Sequence, residues 1–240
     1  LNVRIGTHVS QRIYEFHEII RRHMNTPIEY LNDIGLLGPD VLVGHALYVS
    51  GHYGTGYPGD KDVEILAKTG TTVSHCPLVS ARTSWALQSF SRYVEAGVNL
   101  TLGTDTWPMD IISEMRWASI LGKIMEKSRS ASTSADVYNA VTLSASKGVG
   151  REDIGRIAKG AKADIILIDV NHLRYAPIAD PIKSLVNAGT CDDVDTVIIG
   201  GKKLVVDGDI LNLDESSVME KAREIAKNRW AKIPEWDWDK

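Results

Sequence analysis

The sequence predicts an α/β chain assembled from parallel (β/α) units. Three observations lead there. Four short apolar runs recur over residues 3–106, of the kind that suits strands covered on both faces. Each is followed by a stretch with apolar residues at helical spacing. The first three close on His8, His45 and His75, and the fourth leads into Asp105. Strand–helix alternation implies a parallel sheet. Right-handed crossovers then bring all four strand ends to one side.

The elements follow in order. Residues 3–8 read as a strand running into the polar loop Thr7-His8-Val9-Ser10-Gln11. Residues 12–24 place Ile13, Phe16, Ile19 and Ile20 at helical spacing. Thr26-Pro27-Ile28-Glu29 is a helix start, with Thr as N-cap, Pro at N1 and Glu at N3, and Gly35 is its stop. Residues 40–48 form the second strand. The Gly- and Tyr-rich stretch 51–59 is a loop, and long loops over a scaffold often carry binding. A short helix over 62–69 precedes the third strand, 71–77, which a proline ends. A helix over 84–96 stops at Gly97. The fourth strand, Val98 to Leu102, meets Gly103, where the backbone can turn sharply or approach a neighbour closely, and then Asp105. Helices over 111–127 and 134–148 follow.

The texture changes near residue 150. A turn-rich lead, Gly155 to Asp164, opens a strand, and residues 196–206 read as a hairpin around Gly200-Gly201. Residues 214–230 form a terminal helix with Val218, Ala222, Ile225 and Ala226 on one face. Trp230, Trp236 and Trp238 mark a tail that is expected to pack on the body or on a neighbouring subunit. The expected organisation is a (β/α) portion over 1–150, a small β-layer and connection over 151–212, and a helix with its Trp-rich tail over 213–240.

Composition narrows the function classes. With 43% hydrophobic and 24% charged residues, the 240-residue chain is ordinary globular protein. A net charge of −4 without a basic cluster argues against nucleic acid as partner. No apolar run is long enough to span a membrane. Cys76 and Cys191 form neither a disulfide framework nor a Cys-x-x-Cys pair, so a reducing cytoplasm is the default location. No Gly-x-Gly-x-x-Gly or phosphate loop supports a nucleotide-handling sheet protein. The chain opens at Leu1 as though inside a strand, so an N-terminally truncated or processed chain is expected.

Two histidines and a carboxylate at parallel strand ends make a site with nitrogen and oxygen ligands suited to one Zn²⁺ or Fe²⁺. His8, His45 and Asp105 are the candidate metal ligands. Each has a plain alternative taken alone: a hydrogen-bonded core histidine, or for Asp105 a helix cap. Together they point to a metal that acidifies water, with Asp105 moving the proton. His75 either orients substrate, supports the site from behind, or bonds to backbone. Tyr48, Tyr53 and Trp107 can stack on a planar ring. His17, His23 and His172 read as surface or packing residues, His52 as a solvated loop residue and Cys76 as a small buried apolar one.

Thr7-His8, Gly44-His45, Ser74-His75-Cys76-Pro77 and Leu102-Gly103-Thr104-Asp105, in that order, resemble the amidohydrolase superfamily. The most similar branch holds the triazine hydrolases, guanine deaminase and adenosylhomocysteine deaminases. Gly160-Ala161-Lys162-Ala163-Asp164-Ile165 resembles the re-entry into that family's β-sandwich. The resemblance implies a metal-dependent hydrolase on a TIM barrel, here the C-terminal half of the barrel plus strands of the sandwich. It makes His8, His45 and Asp105 the ligands from strands 5, 6 and 8 of that barrel. It implies a small heterocyclic substrate, attack at a C–N bond or a related leaving group, and catalytic roles for Asp105 and His75.

Two departures stand out. The family's His-x-His pair is absent from this sequence. Four strands cannot close such a barrel, so a missing N-terminal half or another copy in a homo-oligomer is expected against the open edges. Deaminases of the branch carry Glu where Gln11 stands; an amide binds substrate but cannot shuttle protons. The alternative function is an inactive fragment or binding module that keeps the fold without a complete metal site.

Overall fold

The structure is a computed structural model and describes residues 3–231. The chain runs β1 (Ile5–Val9), α1 (Ile13–His23), α2 (Pro27–Asp33), β2 (Val41–His45), α3 (Lys61–Thr69), β3 (Thr72–His75), α4 (Pro77–Arg82), α5 (Phe90–Glu95), β4 (Asn99–Leu102), α6 (Ile111–Glu126), α7 (Ser134–Val141) and α8 (Leu143–Gly148). It continues through β5 (Ile165–Ile168), α9 (Pro181–Ala188), β6 (Val194–Ile199), β7 (Lys202–Val206), β8 (Asp209–Ile210) and α10 (Glu215–Trp230).

The first four strands form one parallel sheet in the order β1-β2-β3-β4. This is the (β/α)-barrel type of α/β architecture, with four strand–helix units among the described residues. Register follows the strand ends: His8 lies opposite Gly44, Val9 opposite His45, Gly44 opposite Ser74 and His75 opposite Leu102. The core is packed from Val41, Val43, Val73, Leu100, Leu66 and Ile112, with the helices laid over the strands. The outer edge of β1 is bare. Its residues Ile5, Gly6 and His8 are exposed, whereas every residue of β4 is buried.

Local chemistry sets the helix starts. Thr26 and Glu29 exchange the two hydrogen bonds of a capping box, with Pro27 in the first turn. The Asp110 carboxylate accepts from the Ile112 and Ser113 amides and starts α6.

Three expectations are corrected. Pro77 does more than end β3, since it opens α4 in a first-turn position where its missing N–H costs nothing. The helix expected over 84–96 begins only at Phe90, because Ser84 takes a left-handed φ of 65° and Ser89 supplies the cap. The helix expected over 134–148 breaks at Thr142, whose hydroxyl turns back to the Tyr138 carbonyl.

The later strands form an antiparallel sheet in the order β5-β6-β7-β8. Asp193, fully buried beside it, accepts hydrogen bonds from the Tyr175 hydroxyl and the Thr190 amide. The apolar face expected of α10 is uncovered: Val218 and Ile225 are about half exposed and the helix buries no residue. Trp236 and Trp238 lie outside the described residues. Among the described residues, no helix is long and apolar enough to cross a membrane.

Tyr93, buried in the core, donates its hydroxyl to the Ala46 carbonyl at 2.5 Å, one residue past the end of β2. Tyr93→Phe is expected to lower unfolding stability by about 1–3 kcal/mol, the usual range for stripping a partner from a buried acceptor. A urea titration checks it, and an unchanged midpoint would remove Tyr93 as the anchor of that strand end.

Candidate metal centre

The site is assembled at the C-terminal ends of the four parallel strands. At β1, Ser10 takes a left-handed φ of 53°, and the amides of Ser10 and Gln11 both donate to the Glu15 carboxylate, at 2.7 and 3.0 Å. This clamp fixes the loop directly after His8.

At β2 the backbone decides where the histidine points. In a regular parallel pair, residues opposite each other face the same side and neighbours alternate. His8 lies opposite Gly44, so an undistorted β2 would send His45 to the other side. His45 instead adopts φ 73° and Ala46 φ 43°. With the strand leaving its pleat there, the two imidazoles meet edge to face, with centroids 4.9 Å apart. Gly44 makes room, because a Cβ there would sit 3.1 Å from His8 Cδ2.

At β4, Gly103 allows close approach to β3: its amide donates to the His75 carbonyl at 2.9 Å, and a Cβ there would lie 2.8 Å from Ser74 Oγ. Asp105 then turns with φ 59°. Its Oδ2 stands 3.8 Å from His45 Nε2.

His8, His45 and Asp105 each present one ligand atom, and the three atoms lie within 4.8 Å of one another. Both ring nitrogens of His45 are buried without a hydrogen-bond partner. Buried polar atoms are rarely left so. Burial, reinforced by His8 and opposed by Asp105, holds the His45 pKa below its ordinary value. Neutral imidazole is the form that binds a metal. The donor set and the orphaned nitrogens fit a divalent ion such as zinc.

His75 is brought to the same rim but is 2% exposed, and its Nδ1 has no partner. Burial, then His45, pushes its pKa down to about 3. Cys76 is buried and its thiol is pushed up to about 12, chiefly by burial, which leaves it inert.

The other expected contacts divide. Tyr48 is half-buried and packs on His52 and Trp85, at 4.8 and 6.1 Å between centroids. Gln11, three residues after His8, is half-buried. Trp107 is 76% exposed, with the Arg82 guanidinium 5.3 Å over its ring. Tyr53 is equally exposed and stacks on His52. His52 corrects the expectation of a solvated residue. The 51–59 loop folds over it, Gly54 donates its amide to His52 Nδ1, and the ring is 5% exposed. His23 stacks on Tyr30 and His17 meets Phe16, as packing residues do.

Sequence reasoning missed Glu114. It is fully buried in the first turns of α6, where Oε2 accepts from the Leu78 amide and Oε1 has no partner. Burial, against the Leu78 hydrogen bond, raises its pKa to about 7. Its partner lies 36 residues away, so no local pattern marks it.

The profile of the Amidohydrolase family matches residues 1–204. A 5'-deoxyadenosine deaminase of Methanopyrus kandleri is 31% identical over 229 residues, covering 94% of this chain and 51% of that protein. A 5-methylthioadenosine/S-adenosylhomocysteine deaminase of Pyrococcus abyssi is 30% identical over 229 residues, covering 94% and 52%. The chain thus spans about half the length of these curated relatives. Among solved structures, an adenosine deaminase of Xanthomonas campestris with bound zinc aligns at a TM-score of 0.86 and 24% identity, over 94% of this chain and 50% of that one. Atrazine chlorohydrolase TrzN of Arthrobacter aurescens, complexed with zinc, aligns at 0.81 and 19% identity, over 93% and 49%. Both show the same fold.

Proposed function

The chain belongs to the amidohydrolase family, and from that premise we propose that its site is a metal centre for hydrolysis of a C–N bond on a small heterocyclic substrate. One observation carries the proposal. His45, with two buried and unpartnered ring nitrogens, shares a 4.8 Å cluster of ligand atoms with His8 and Asp105. These three residues would hold one divalent ion. Nitrogen and oxygen donors accept zinc or iron; zinc in two structural relatives favours zinc. Such an ion, when bound, supplies Lewis acidity that acidifies water near neutral pH.

The chain's own residues handle binding and protons. The reaction joins the oxygen of water to ring carbon and breaks the C–N bond, so one proton must pass from the water to the departing nitrogen. Asp105 would carry it on Oδ2, which stands 3.8 Å from His45 Nε2 on an exposed residue. Gln11 cannot relay a proton but can hydrogen-bond the ring. His75, neutral across the physiological range, offers hydrogen bonds without charge. Tyr48 would face the ring, with Trp107 as an outer contact.

The deaminase names of the relatives support loss of ammonia from an amino-substituted purine as the specific reaction. The bare edge of β1 supports association with a second copy or with further (β/α) units. Two free cysteines suit a cytoplasmic setting.

Elemental analysis and an ammonia-release assay test the reading together. The protein is expected to bind about one zinc per chain, to lose it on His8→Ala, and to release ammonia from 5'-deoxyadenosine only when loaded. Absence of bound metal in both forms would overturn the metal centre and leave the alternative of a binding module.

A further inference from the structure

Arg12 and Tyr48 lie in the segments that follow β1 and β2, and Trp85 lies beyond α4 in the connection from β3 to α5. The Arg12 guanidinium lies 4.5 Å over the Trp85 ring, and Tyr48 meets Trp85 edge to face at 6.1 Å. Strand β2 stands between β1 and β3 in the sheet. Segments that follow the two strands flanking β2 thus meet beside Tyr48, three residues after His45. The cluster therefore sits next to the strand end that carries His45, whose ring nitrogens are buried without a partner.

Arg12 is poorly explained by stability. It occupies the N-cap of α1, where its side chain makes no capping bond and its charge stands at the positive end of the helix dipole. The nearby carboxylate of Glu15 is taken by the amides of Ser10 and Gln11. The arginines that carry ion pairs among the described residues are Arg21, Arg22, Arg92, Arg151 and Arg174, and Arg12 is not among them. An exposed guanidinium is thus held by an aromatic face, with its N–H fork unspent, on the rim of the site. Departures from local preference tend to mark functional positions.

We propose that Arg12, held by Trp85, is a specificity residue that reads an anionic group on the planar substrate of this site. The inference rests on the metal-hydrolase reading above and adds the charge of the substrate to it. The ring lies against Tyr48 and Trp85, and the anion takes the guanidinium fork, the geometry for which arginine is best suited.

Adenosine and adenosine 5'-monophosphate differ only in the anionic group and serve as probes. Binding to the zinc-loaded protein is followed by calorimetry for the wild type, Arg12→Gln and Arg12→Lys. The monophosphate is expected to bind about tenfold more tightly than adenosine, as a charge-assisted bidentate contact allows. In Arg12→Gln that preference is expected to vanish, and Arg12→Lys to retain part of it. Equal affinities in the wild type, or a preference that survives Arg12→Gln, overturn the assignment while adenosine binding keeps the parent reading intact. Binding of neither probe to the loaded protein overturns both.

Discussion

Asp105→Asn is expected to lower turnover of the zinc-loaded protein by roughly a thousandfold, the middle of the range for loss of a positioned acid–base group. Three features make the substitution diagnostic. Asparagine has the same shape and tolerates the left-handed backbone of Asp105 (φ 59°) as well as aspartate does. The residue is exposed, so no core packing is disturbed. The amide keeps one oxygen facing His45 but has no place for a proton. Kinetics, metal content and unfolding midpoint measured on the same preparation separate the effects. Turnover should collapse while the midpoint stays within experimental error of wild type. Turnover within tenfold of wild type would remove Asp105 as the proton carrier.

Glu114→Gln should reshape the pH dependence of stability. The Glu114 carboxyl, raised to about 7 by burial, keeps its proton in the folded protein where the unfolded chain gives it up near 4.5. The stability it contributes is therefore complete below pH 4.5 and is lost as pH rises through 7, because the folded state binds more protons across that window. His75 acts with the opposite sign. Its depressed value makes the folded state bind fewer protons, so stability is lost as pH falls below its ordinary 6.5 toward 3. The informative quantity is the difference between variant and wild type. The stability of Glu114→Gln relative to wild type should climb by about 2–3 kcal/mol between pH 4.5 and 7.5. Urea titrations across that range check it. A flat difference would mean that Glu114 ionises in the fold as readily as in the unfolded chain.

The strand ends were legible in the sequence because their signal is local: an apolar run, a glycine or small residue, then a histidine or aspartate. The facing of His45 toward His8 was not, since alternation alone sends it the other way and only its backbone conformation corrects this. Glu114 escaped notice because the Leu78 amide arrives from a separate strand–helix unit. His52 misled because a Gly-rich loop reads as solvent-exposed, while here the glycines let the loop close over the ring. Trp107, two residues beyond Asp105, is exposed under the Arg82 guanidinium, a contact from another strand–helix unit that no local pattern marks.

The left-handed backbone at Ser10, His45, Ala46 and Asp105 also bears on how the molecule breathes. Such positions each cost on the order of 1 kcal/mol relative to relaxed conformations, and the surrounding structure must hold them. Ser10, His45 and Ala46 meet that cost inside the core and open only with it, whereas Asp105 is exposed, so of the four the turn after β4 has least to lose by opening. Amide hydrogen exchange would record this as a fast-exchanging turn after β4 beside slow ends of β1 and β2. A ligand that bridges three strands would slow that turn first and the helices hardly at all.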